Sequence, residues 1–142
     1  MGERPVVTTQ DFIKKALTGD TGKDFCSSVL RYGDTVYSYG THYPLARIIN
    51  GQLFVNTRGY SNTTAKHINW AYNAGAELGL KVHGVPLTNG DGLNVHGVSS
   101  SALREQVRVA SLMESKKRKD TKVYQGLQEA QESMYNARLA VA

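Results

Sequence analysis

Pro44-Leu45-Ala46-Arg47-Ile48-Ile49-Asn50-Gly51-Gln52-Leu53-Phe54-Val55-Asn56 decides the fold. Two short apolar runs flank Asn50-Gly51, and Asn-Gly is the strongest two-residue hairpin signal because both residues tolerate positive φ. Immediately upstream, Ser28-Val29-Leu30-Arg31-Tyr32 and Thr35-Val36-Tyr37-Ser38-Tyr39 flank Gly33-Asp34, a second compact turn. Four short strands joined by tight turns predict an antiparallel meander.

Helical patterns frame the meander. Thr8-Thr9-Gln10-Asp11 supplies hydroxyl caps and an early acid, and Phe12, Ile13, Ala16 and Leu17 form one apolar face before the polar break Gly19–Asp24. From Asn62 to about Leu78 the period becomes helical, with Ala65, Ile68, Ala71 or Tyr72, Gly75 and Leu78 placed to cover the sheet. Lys81–Leu87 suits one more edge strand, with Pro86 limiting its pairing. Residues 88–101, rich in Gly and Ser, suggest a linker.

Ser99-Ser100-Ser101 then offers caps for a long helix with Leu103, Val107, Ala110 and Met113 on one stripe. The stripe fades at Lys116–Lys119 and resumes with Tyr124, Leu127, Ala130 or Gln131, Met134 and Ala137, as one helix or two. This amphipathic tail suits docking on a partner, on a second copy, or on the domain's own sheet. The expected fold class is α+β: a short N-terminal helix, a four-stranded meander with a packed helix, and a helical tail. The expected organisation is a domain over residues 1–87, a linker over 88–101 and a tail over 102–142.

A chain of 142 residues suits one domain able to bury a core without staples. The single cysteine, Cys26, excludes an internal disulfide and a Cys-based metal cage. His42, His67, His83 and His96 lack metal-site spacing, so neither a metal nor a cofactor is expected. Gly90-Asp91-Gly92 lacks the spacing of a phosphate loop. Met1–Val6 holds no apolar h-region and no window approaches a membrane span, so a cytoplasmic protein is expected. The net charge of +5 is denser in the last third, where residues 100–142 hold eight Lys/Arg against five Asp/Glu. Such a balance favours polyanions through counterion release, and equally serves solubility alone.

Two segments carry candidate chemistry. The first is Tyr60-Ser61-Asn62-Thr63-Thr64-Ala65-Lys66-His67-Ile68-Asn69-Trp70, at a strand-to-helix transition. Unpaired N–H groups and a partial positive charge at a helix start attract anions, and Ser, Asn and Thr are also the ordinary N-cap residues. An anion site here would use Ser61, Thr63, Thr64, Lys66 and His67 with Arg58, and Trp70 would stack on a base. His67 as a general acid or base needs a partner such as His42 or Tyr60 within hydrogen-bond reach. The second segment is Lys116-Lys117-Arg118-Lys119-Asp120-Thr121-Lys122, with Arg104 and Arg108 upstream. It resembles a nucleic-acid patch and equally a solvated helix junction. Tyr32, Tyr37, Tyr39, Tyr43 and Tyr60 mark the meander as a stacking face or as ordinary strand residues.

Val36-Tyr37-Ser38-Tyr39-Gly40-Thr41, Pro44-Leu45-Ala46, Leu53-Phe54-Val55-Asn56 and Tyr60-Ser61-x-Thr63-Thr64-x-x-His67 together resemble an uncharacterised small bacteriophage-encoded domain. The resemblance spans about residues 28–72. It implies viral origin, hence the host cytoplasm, and a small α+β unit; it carries no activity.

The leading expectation is a non-enzymatic phage-type accessory protein that binds nucleic acid, or a nucleic-acid-bound host complex, through one continuous basic patch. The alternative is a protein-binding module, a host-defence inhibitor or virion component, that uses the C-terminal helix. The third is a small phosphodiesterase or nuclease using His67.

Overall fold

A computed structural model describes residues 8–19, 25–26, 28–88 and 90–142. The readings of Met1–Val6 and of the polar break beyond Gly19 lie outside the described residues. The elements run α1 (Thr9–Thr18), β1 (Phe25–Cys26), β2 (Val29–Tyr32), β3 (Thr35–Ser38), β4 (Tyr43–Ile49), β5 (Gln52–Asn56), α2 (Asn62–Glu77), β6 (Val82–Val85), α3 (Val95–Glu114) and α4 (Lys122–Ala140). The fold is α+β, and β2–β5 form the expected antiparallel meander. Asn50 and Gly51 take φ values of 53° and 75°, the geometry a two-residue primed turn requires.

The sheet extends the four-stranded meander at both edges, at one of them by the edge strand expected over Lys81–Leu87. The two-residue β1 extends one edge, and β6 pairs with β5 at the other. β6 runs parallel to β5 because α2 carries the chain back across the sheet, a crossover that a tight turn cannot make. Pro86, which has no N–H for a ladder, follows the strand's last residue.

Strand alternation sends side chains to two cores. On one face Val29, Val36, Leu45, Leu53 and Val55 meet Phe12, Ile13, Ala16 and Leu17 of α1 and Ala71 and Ala74 of α2. On the other, Ile49, Phe54 and Val85 meet Val98 and Ala102 of α3 and Met134 and Ala137 of α4. The molecule is therefore three-layered, with α1–α2 and α3–α4 on opposite sides of the sheet. Phe54, fully buried between β4, β6 and the α3–α4 pair, contributes about 1.5–3 kcal/mol.

The last third departs from the expected linker and tail. Residues 88–101 include the first two turns of α3, and Leu93, Val98 and Ser101 are buried. Asn94 caps α3, its side chain accepting from Gly97 N–H at 2.7 Å, so Ser99–Ser101 lie inside the helix and do not cap it. The small residues that suggested flexibility serve close packing: a Cβ on Gly97 would collide with the Gly92 carbonyl. The tail is two helices, broken between the Ser115 C-cap and the Thr121 N-cap. Gly126 lies inside α4 and does not break it. The pair docks on the chain's own sheet. Among the described residues no helix is long and apolar enough to cross a membrane.

Candidate functional site

The threonine-rich helix start is built from the inside. Ser61 is the N-cap of α2; its Oγ accepts from Thr64 N–H at 3.1 Å and donates to Thr64 Oγ1 at 3.1 Å. Beneath it, Ser38 Oγ on β3 lies 3.2 Å from Thr64 Oγ1 and 2.8 Å from His67 Nδ1. Ser38 and Thr64 are 0% exposed and His67 is 3% exposed. Burial holds the imidazole pKa below its ordinary 6.5, so His67 is neutral at pH 7.

These positions correct the anion-site reading for two residues. Thr64 and His67 point into the core and tie α2 to β3, where no polyanion reaches them. The Ser38–His67 pair has the atoms of a nucleophile and its base, but neither is accessible to a substrate. Trp70 is half-buried, packed on the α1–α2 core with its ring 5.6 Å from that of His67. Ser38 was missed from sequence although the signal was legible. It stands two residues after Val36 and so shares the inward face of β3, where a hydroxyl needs a partner.

At the end of the sheet lies an open cleft of about 530 Å³. Tyr37, Tyr43, Tyr60, His42 and Arg58 line it, together with the Gly90-Asp91-Gly92 segment. Asn56 forms its floor: Nδ2 donates to the Pro44 carbonyl at 2.9 Å, and Oδ1 accepts from Arg58 N–H at 3.0 Å and Leu87 N–H at 3.1 Å. One buried amide thus pins three segments of the cleft. The Tyr43 hydroxyl lies 2.9 Å from the Asn56 carbonyl and 2.6 Å from that of Arg58. Burial pushes its pKa up to about 12, against the opposing field of the Arg58 guanidinium. Tyr60, 59% exposed, has its ring 5.6 Å from those of both Tyr39 and Tyr43. Tyr39 adopts a left-handed φ of 60°, and hydrogen bonds with Thr63 and Ser61 lower its phenol pKa.

The cations fall into groups along the chain. Arg58 and Lys66 are exposed near the start of α2. Arg104 and Arg108 lie on α3 and are engaged by Asp91 and Glu105 respectively. Lys116, Lys117, Arg118, Lys119 and Lys122 gather at the far tip of the α3–α4 pair. The 20 residues of α3 put that tip about 30 Å from the helix's own start. Arg118 pairs with Asp120 at 3.7 Å, and the Lys119 ammonium sits 6.0 Å from the Tyr124 ring centroid. Arg58 and Asp91, the partner of Arg104, line the same cleft, whereas the 116–122 run lies at and beyond the C-terminal end of α3.

The same helix pair exposes apolar side chains. Val95, Leu103, Val107 and Leu112 on α3, and Val123, Tyr135 and Leu139 on α4, are 38–63% exposed. Val95, Ser99, Tyr135, Arg138 and Leu139 line one shallow groove between the two helices.

Neither a curated protein nor a solved structure matches the chain. Residues 7–81, which carry α1, the meander and α2, match DUF8033, and the chain belongs to this family of unknown function.

Proposed function

We propose that the protein is a non-enzymatic accessory module of phage type, working in the cytoplasm, that binds an acidic, apolar-centred surface of another protein through α3 and α4. The observation that carries this reading is the concentration of exposed apolar side chains on α3 and α4. Of the ten large hydrophobic side chains exposed among the described residues, seven lie on α3 and α4: Val95, Leu103, Val107, Leu112, Val123, Tyr135 and Leu139. Exposed apolar side chains concentrated on one helix pair mark an interaction surface. Charge selects the occupant: eight Lys/Arg against five Asp/Glu over residues 95–142 repel a second copy and attract an acidic partner.

The test is a photo-crosslinker at Ala110 in the full chain, followed by reconstitution with the purified crosslinked protein. The variant Leu103→Asp with Val107→Asp is expected to keep its melting temperature within about 2 °C, since both side chains already face solvent. It is expected to weaken the reconstituted complex at least about 30-fold, as loss of two apolar anchors does. Unchanged affinity refutes the proposal. A homodimer abolished by the double variant replaces the acidic partner with a second copy.

Nucleic-acid binding stands as a second, narrower proposal, favoured by the exposed Lys117 and Lys122 at the helix-pair tip. It requires binding of a random-sequence duplex that weakens steeply with salt and is lost in Lys117→Gln with Lys122→Gln. Removing residues 100–142 does not separate these readings, because that segment closes one of the two cores.

A further inference from the structure

We infer that the cleft at the end of the sheet is a binding site for a nucleoside monophosphate unit, with its base against Tyr60 and its phosphate on Arg58. This inference is independent of the α3–α4 surface and rests on four features of the cleft.

The volume of about 530 Å³ lies within the range of small-ligand pockets. The walls are both aromatic and cationic, a pairing that suits an aromatic ring bearing an anion. Tyr60 is exposed yet held by tilted ring contacts with Tyr39 and Tyr43, so it is presented without ordering a mobile side chain. Finally, the backbone of Arg58 is fixed by Asn56 and Tyr43, while its exposed guanidinium has no ion pair among the described residues.

Asp91 completes the cleft and does not oppose the anion. Its Oδ2 accepts from Ser101 Oγ at 3.0 Å and pairs with Arg104, which holds its carboxyl below the usual range and neutralises its charge. Its other oxygen is left to accept from a sugar hydroxyl, the role an acid plays beside a bound ribose. His42 on the rim offers a further ring nitrogen toward the phosphate.

Two sources supply this chemistry: a free nucleotide, or the phosphorylated end of a single strand. Calorimetric titration of the full-length protein with adenosine 5′-monophosphate, adenosine, inorganic phosphate and a 5′-phosphorylated hexanucleotide separates them. Binding of the monophosphate more tightly than adenosine or phosphate supports a free nucleotide. Binding of the hexanucleotide alone supports a strand end. Arg58→Gln should weaken whichever binds by about ten- to a hundredfold, the scale of a charged hydrogen bond. Tyr60→Ala should weaken it by about five- to a hundredfold, the scale of one lost stack.

Heat from none of the four titrants overturns the inference, and so does an affinity that both variants leave unchanged.

Discussion

Ser38→Ala isolates the contact that joins α2 to the sheet. The substitution removes one oxygen and leaves the volume of the site nearly unchanged, so cavity costs stay small. What it does remove is the 2.8 Å partner of His67 Nδ1, in a place where the ring is 3% exposed and water cannot substitute. Thr64 keeps its Ser61 hydroxyl at 3.1 Å and is not orphaned. The cost is then one unsatisfied buried group, about 1–3 kcal/mol. For a chain of this length that lowers the melting temperature by roughly 3–10 °C. Urea unfolding at pH 7.5, followed by circular dichroism, measures it directly. Ser133→Ala on the exposed face of α4 is the control and should stay within about 0.5 kcal/mol. A loss under about 0.5 kcal/mol for Ser38→Ala would refute the view that this network holds the helix.

Acid should destabilise the fold through His67 and His83, both held below the ordinary pKa by burial, with Lys81 adding to the effect at His83. Below about pH 6.5 the unfolded chain binds protons that the folded chain refuses. Each histidine then removes up to about 1.4 kcal/mol per pH unit until it is protonated in the fold. Urea midpoints at pH 7.5, 6.5 and 5.5 should fall in that order, and a flat series would contradict the burial argument. Two glycine substitutions should have opposite signs in thermal melts. Gly97→Ala forces a Cβ into the Gly92 backbone and should cost about 1–3 kcal/mol, whereas Gly126→Ala in α4 meets nothing and should gain up to about 1 kcal/mol. Equal shifts would show that the α3 approach is looser than described.

The meander and the first two helices were legible because their signals are local. Asn50-Gly51 fixes a turn by its own φ preferences, and Phe12, Ile13, Ala16 and Leu17 declare a buried face by spacing alone. Residues 88–101 were misjudged for a physical reason. Gly and Ser look alike whether they give a chain freedom or let two backbones touch, and only the Gly92–Gly97 approach tells them apart. The candidate site was legible in its chemistry and not in its placement. Tyr60, Arg58 and the hydroxyl run stand out along the chain, yet Thr64 is turned inward by a serine 26 residues before it.

By itself the sequence determined strand, turn and helix, and a surplus of positive charge, since backbone preference and composition belong to single residues. The tertiary structure alone decided that His67 is sealed, that Arg104 is held by Asp91, and that Arg58 shares a cleft with three tyrosines. Burial and proximity between distant segments arise from packing, which no local stretch of chain encodes.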